Sequence, residues 1–367
     1  MSKAKISLCM IVKDEADFIE QAIGTAKPFI HEIIIVDTGS SDQTPELAES
    51  LGAKVFRKSW NNDFSEVRNF SIKQATHPFI LVMDADEIIS NASTESLSKL
   101  CEQLRESPGS AGVVTILNET MSGDVSSTTV VRIFPKDDRY QFKGKIHEQL
   151  TFMGGSIQEN IDSGVMVKHY GYTQSQITKK NKYERNLSLL IKELNSQSDT
   201  SYIQYQIGRT YYIMKEYVQA EHFLNECVEA ELKGSRRNFM SSALLTLGYC
   251  YIHSRKFDNL LECYQLAIDL FPDYTDLYFM YGVGLIESRA IDAFREIPVI
   301  FRKCIELGEA SSVKYETVRG VGSFKAHFNL ALFYELTGQL EKAVHHYQLS
   351  GRNGYSQAQE RLHHLLR

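Results

Sequence analysis

The stretch EIIIVDTGSSDQTPELAESLGAKVF, residues 32–56, holds a strand, a polar loop, a helix and a second strand. Its opening run EIIIVD is continuous and β-branched, as strands buried on both faces of a parallel sheet are. Thr44 is expected to cap the following helix, with Pro45 in its first turn. KVF (54–56) then reads as the next strand. Strand, helix and strand at this spacing predict a right-handed crossover and a parallel sheet.

The same texture extends to both sides. ISLCMIV (6–12) and FILVMD (79–84) are further strands of the buried kind. DEADFIEQAIGTA (14–26) and DFSEVRNFSIKQAT (63–76) are amphipathic, and Asp63 with Glu66 forms a capping-box arrangement. Beyond residue 110 the pattern changes. GVVTILNET and SSTTVVRIF read as antiparallel neighbours and GVMVKHYGY as one more strand, so the sheet is expected to be mixed.

From residue 176 strand signals stop, and Tyr, Leu and Ala recur at helical spacing. Gly208, Gly248 and Gly282 fall in register, the last two 34 positions apart, and Ala331, Tyr334, Ala343 and Tyr347 repeat the same offsets. Helix pairs of this length resemble tetratricopeptide repeats, in which a small residue lets two helices approach. The chain therefore divides into an α/β domain over 1–175 and an all-α repeat domain over 176–367. The repeats offer a groove for acceptor binding or a face for self-association, which leaves a homodimer open.

The 367 residues are 43% hydrophobic and 23% charged, an ordinary globular composition. A net charge of −6 without a long like-charged block argues against a nucleic-acid surface. The short basic run TKKNKYER (178–185) reads as the wet face of a helix. Six scattered cysteines without a CxxC pair fit reduced thiols rather than a disulfide frame. No apolar run reaches the ~20 residues that cross a bilayer. A soluble, cytoplasmic protein is expected.

FILVMDADEIIS (79–90) ends a strand in three carboxylates, Asp84, Asp86 and Glu87. On an extended segment Asp84 and Asp86 point to one side, where two anions about 4 Å apart repel by roughly 4 kcal/mol at an effective dielectric near 20. Either water solvates them or a cation sits between them. Ligands of open parallel sheets bind beyond the carboxyl ends of the strands, where KDE (13–15), DTGSSD (37–42) and DADE (84–87) all fall.

IIIVDTGSSDQT together with MDADE resembles the family 2 glycosyltransferases of GT-A fold, a Rossmann-like domain with a mixed sheet. WNNDFSEVRNF (60–70), FKGKIHEQL (142–150) and KHYGY (168–172) narrow the resemblance to members with C-terminal tetratricopeptide-like repeats. These include the peptide S-glycosyltransferases of sublancin-type glycocin biosynthesis. The resemblance implies an inverting, metal-dependent transfer of a hexose from a nucleotide sugar, by default a UDP-sugar, to a peptide Cys or Ser. A saccharide acceptor, or a repeat module on a non-catalytic domain, is the alternative.

Roles follow from that resemblance. Mg²⁺ or Mn²⁺ is held by Asp86, while Asp84 turns to ribose. Asp37 accepts from the base or ribose, or closes an Asx-turn over Thr38 to Ser40. Arg68 lies near the nucleotide and Trp60 walls the site or simply packs. Glu148 is the candidate general base, with His147 beside it at the metal or phosphates. On a strand these two would face opposite ways, so at most one enters the site unless the segment is a loop, which Gly144 favours. His169 competes with His147 for the metal or phosphate role.

Overall fold

A computed structural model describes residues 5–119, 125–169, 176–195, 200–234, 237, 239–352 and 354–366. The chain forms two compact units, Met1–Glu193 and Leu194–Arg367. The helix Gln176–Leu194 (α5) thus falls at the end of the first unit.

The first unit opens with β1 (Ile6–Val12), α1 (Ile19–Ala26), β2 (Glu32–Asp37), α2 (Thr44–Ser50), β3 (Lys54–Arg57), α3 (Phe64–Gln74) and β4 (Phe79–Val82). β5 (Glu87–Asn91), α4 (Thr94–Glu106), β6 (Ser110–Glu119) and β7 (Val125–Pro135) follow. The unit then adds β8 (Tyr140–Lys143), β9 (Gln149–Phe152), β10 (Gly155–Ser156) and β11 (Glu159–His169). Eight strands join in the order β3-β2-β1-β4-β7-β6-β11-β5. β1 pairs in parallel with both β2 and β4, so the strand order reverses at β1, and that is where open α/β sheets bind ligands. β7 runs antiparallel to β4 and β6, which makes the sheet mixed as expected.

The continuous apolar runs are explained by burial on both faces. Leu8, Met10, Ile33, Ile35 and Leu81 pack into one core; Cys9, Ile34, Ile80 and Val82 pack into another on the opposite face. Each such side chain contributes roughly 1.5–3 kcal/mol on leaving water. Asp63 caps α3 as the sequence suggested, accepting from the Glu66 amide at 2.9 Å. Thr44 is not a cap. It is the first helical residue, and Gln43 precedes it. Its hydroxyl instead donates to Asp42 at 2.5 Å and accepts from the Glu15 amide at 2.8 Å, tying the β1 and β2 loops together. Helix α1 starts only at Ile19, because the chain after β1 turns through Asp14 at φ 55°.

The second unit is helical: α6 (Ser201–Ile213), α7 (Tyr217–Lys233), α8 (Phe239–His253), α9 (Phe257–Leu270), α10 (Thr275–Ser288), α11 (Ile297–Leu307), α12 (Phe324–Leu336), α13 (Leu340–Gly351) and α14 (Ser356–Leu365). The in-register glycines are contact points. A Cβ on Gly208 would lie 2.6 Å from Leu224 of α7, and one on Gly282 would lie 2.8 Å from the Phe301 ring of α11. No described helix is long and apolar enough to cross a membrane. All six cysteines are buried free thiols, and burial pushes each up to about 12.

Candidate active site

The site forms where β1, β2 and β4 end. Asp37 closes β2 and is buried. Its carboxylate accepts from the amides of Ser40 at 3.1 Å and Gly39 at 3.3 Å, the Asx-turn read from DTGSSD. The neighbouring Asp14 accepts from the Ser41 amide at 2.7 Å, which closes the β1 loop against the β2 loop.

β4 does not run on through the carboxylates. It ends at Val82, and residues 84–87 make a tight turn closed by the Glu87 amide on the Asp84 carbonyl at 3.2 Å. Asp84 and Asp86 therefore engage different partners, instead of sharing one side as on an extended segment. The Asp84 charge is met by two arginines. Arg68 of α3 donates to Asp84 Oδ1 at 3.2 Å, and Arg132 of β7 donates to Asp84 Oδ2 at 2.9 Å. The guanidiniums are buried, while the Asp84 side chain is 41% exposed and is the opening of the cluster to solvent. Partial burial works against its ionised form, yet Arg132 and Arg68 hold the carboxyl well below the usual range.

Arg132 also donates to Glu87 Oε1 at 2.9 Å, and Glu87 Oε2 accepts from the Asp84 amide at 2.8 Å. Burial pushes Glu87 up to about 7, with the Asp84 charge adding to the rise against the pull of Arg132. Among the described residues, two buried nitrogens, Arg68 Nη1 and Arg132 Nε, find no acceptor. Such orphaned donors mark a place built for something besides packing.

Asp86 reaches the other way. Its Oδ2 lies 3.0 Å from Nε2 of His169, whose Nδ1 lies 3.0 Å from Asn118 Oδ1. The strand register explains the meeting: His169 of β11 pairs with Glu87 of β5 and with Asn118 of β6. The bond to Asp86 raises the His169 pKa, against the effect of burial.

GKIHEQL is a loop at its centre. Gly144 and His147 both have positive φ, 101° and 52°, and β9 starts only at Gln149. Glu148 turns inward and accepts from Arg68 Nε at 2.6 Å, whereas His147 is exposed. Arg68 thus joins Glu148 to Asp84, and it pairs with neither Asp63 nor Glu66. Trp60 is half-buried, its ring 4.6 Å from that of Phe64 at 66°, which is the packing reading. Of KHYGY, Tyr170, Gly171 and Tyr172 lie outside the described residues.

Sequence reasoning missed Arg132, the central partner of both carboxylates. Its signal was present. An arginine within VVRIF, on a strand expected inside a sheet, demands a buried anion. It also left Glu87 and Asn118 without roles.

Residues 7–155 match the family model described as glycosyl transferase family 2, and residues 241–274 match a tetratricopeptide repeat. The first unit is a family 2 glycosyltransferase domain. Relatives of that domain and its repeats are found in bacteria. A TPR repeat-containing protein of Synechococcus elongatus is 32% identical over 213 residues, 56% of this chain and 52% of the relative. The SPbeta prophage-derived glycosyltransferase SunS of Bacillus subtilis is 25% identical over 287 residues, 77% of this chain and 68% of SunS. An uncharacterized glycosyltransferase of Rickettsia bellii is 43% identical over 86 residues, 23% of this chain and 29% of the relative. The chain spans about half the length of the Synechococcus protein. In the family 2 glycosyltransferase domain of this chain, the reversal of strand order at β1 coincides with the Asp-x-Asp turn.

Proposed function

We propose that the chain transfers a hexose from a nucleoside diphosphate sugar, with UDP as the nucleotide, to a peptide side chain, with inversion. The observation that carries this reading is the Asp84–Glu87 turn, which sends one carboxylate to two arginines and the other to a histidine.

Asp86 and His169 offer an oxygen and an imidazole nitrogen to Mg²⁺ or Mn²⁺, a donor pair that suits either ion. No group of three candidate ligands occurs among the described residues, so Asp86 and His169 would hold the ion together with the diphosphate of the donor. When bound, the ion neutralises charge growing on the leaving diphosphate. Asp84 keeps lone pairs free on both oxygens and faces solvent, so a ribose hydroxyl can donate to it. Asp37 accepts from the base. The guanidinium of Arg68 sits beside the Asp84 acceptor and favours the diphosphate end of the donor.

Glu148 takes the acceptor proton, with His147 on the solvent side of the same loop. Arg68 holds the Glu148 carboxylate in place at 2.6 Å. A cysteine thiol, with an unperturbed pKa of about 8.5, gives up its proton to such a base more readily than a serine hydroxyl does. Purified protein should release nucleoside diphosphate from a UDP-hexose with Mn²⁺ present and stop on addition of EDTA. Release that persists in EDTA, or in Asp86→Ala, would overturn the metal assignment.

A further inference from the structure

Between α11 and α12 the repeat spacing stretches, with 49 positions from Gly282 to Ala331 against 34 from Gly248 to Gly282. The extra residues form a closed loop. A Cβ on Gly322 would lie 2.0 Å from the Gly308 carbonyl oxygen, so the neck is backbone against backbone and admits only glycine. Loops of this size with touching ends are Ω-loops.

Residues 314–318 of the loop lie along the helices that open the earlier repeats. Arg209 of α6 donates to Glu316 at 2.7 Å. Tyr274, just before α10, donates through its hydroxyl to the Glu316 carbonyl. Asp276 of α10 accepts from the Val318 amide at 2.8 Å and from the Thr317 hydroxyl at 2.6 Å. The Tyr315 ring stacks on Tyr274 at 4.3 Å, and both Lys314 and Tyr315 donate to Asp273. Tyr202 and Asp276 hold the same register, six positions before Gly208 and Gly282. α8 touches both α6 and α10, and residues 316–318 reach Arg209 of α6 as well as Tyr274 and Asp276 at the start of α10.

The contacts are of the kind that read a peptide. Arg209 reads a side-chain carboxylate, Tyr274 a main-chain carbonyl, and Asp276 a main-chain amide. Two of the three are independent of sequence. We propose that residues 314–318 are a tethered ligand of this helix face, and that the face accepts an extended peptide with a carboxylate in the place of Glu316. The Arg209–Glu316 pair is where exchange begins, since those side chains are 40% and 25% exposed while Tyr315 is buried. A tether acts at an effective concentration near the millimolar range, so a free peptide binds weakly until the tether is loosened. No sugar donor takes part, and the inference stands apart from the transferase reading.

The probe is a fluorescent peptide of residues 312–319, SVKYETVR, titrated into the full chain without donor. Glu316→Ala combined with Thr317→Val should tighten binding about tenfold by removing tether contacts. Arg209→Ala, or Gln for Glu in the peptide, should cancel that gain. No tightening, or a gain that survives Arg209→Ala, overturns the proposal. A second measurement uses the unaltered protein. Saturating peptide, with Gln in place of its Lys and Arg, should speed tryptic cleavage after Lys314 and Arg319 roughly fivefold by raising the open population. An unchanged cleavage rate overturns the proposal as well.

Discussion

Arg132 and Asp84 lie 2.9 Å apart, Nη2 to Oδ2, and the same nitrogen reaches Glu87 at the same distance. The antiparallel register of Leu81 with Ile133 sets this up by bringing Arg132 alongside the end of β4. Arg132→Met should destabilise the domain by about 3–5 kcal/mol, because Asp84 and the buried Glu87 lose the guanidinium that they share. Adding Glu87→Gln should recover much of that loss. Urea titrations of the two singles and the double close the cycle, and additive losses would refute the coupling.

His169→Ala should lower Mn²⁺-dependent donor affinity about 10- to 100-fold by removing one donor of the pair. Without metal the variant and the parent should bind donor alike. Calorimetry with and without EDTA reads both, and an equal loss in the two conditions would place His169 outside the metal site.

Glu148→Gln should reduce turnover by roughly 10²–10⁴ while the donor dissociation constant stays nearly unchanged. Gln keeps the shape, although its neutral oxygen holds Arg68 less firmly. The loss should be smaller for a cysteine acceptor than for a serine in the same peptide, because the thiol ionises more readily. Equal losses on both acceptors would remove Glu148 from the base role.

Stability of the helical unit should fall as pH rises. Burial pushes Asp276 up to about 7, against the hydroxyl of Thr317 and the amide of Val318 that favour its charge. Its folded pKa lies above its unfolded one, so the folded state binds the extra proton between about 4 and 7. Stability is greatest below that window and declines through it, by up to roughly 4 kcal/mol. Denaturant midpoints across pH 4–8 should show this slope in the parent and a flatter line in Asp276→Asn.

Gly282→Ala should cost about 1–3 kcal/mol, since its methyl would sit 2.8 Å from the fully buried Phe301 ring. A thermal melt equal to the parent would show that α11 yields at that point.

Much of this site is legible in the sequence. EIIIVD and FILV declare parallel strands through their unbroken branching, and their ends carry Asp37 and the Asp-x-Asp turn. Asp86 and His169 were each singled out, and the strands bring them into contact. Other features stayed hidden because they depend on three-dimensional register. The path of Asp84 was misread because a turn at 84–87 breaks the two-residue alternation. Arg132 was passed over because its partners sit 45 and 48 positions away in the chain, across a strand pairing that local pattern does not specify. The loop at 308–322 showed only as irregular repeat spacing, which says that residues were added and nothing about where they lie.

The depth at which the six sulfurs sit has a practical result. Protonated and shielded, they neither attack an electrophile nor react with maleimide while the fold holds, so the chain is insulated from labelling itself. An added acceptor thiol would be the sole reactive sulfur in the tube, and its disappearance can be followed against a silent background.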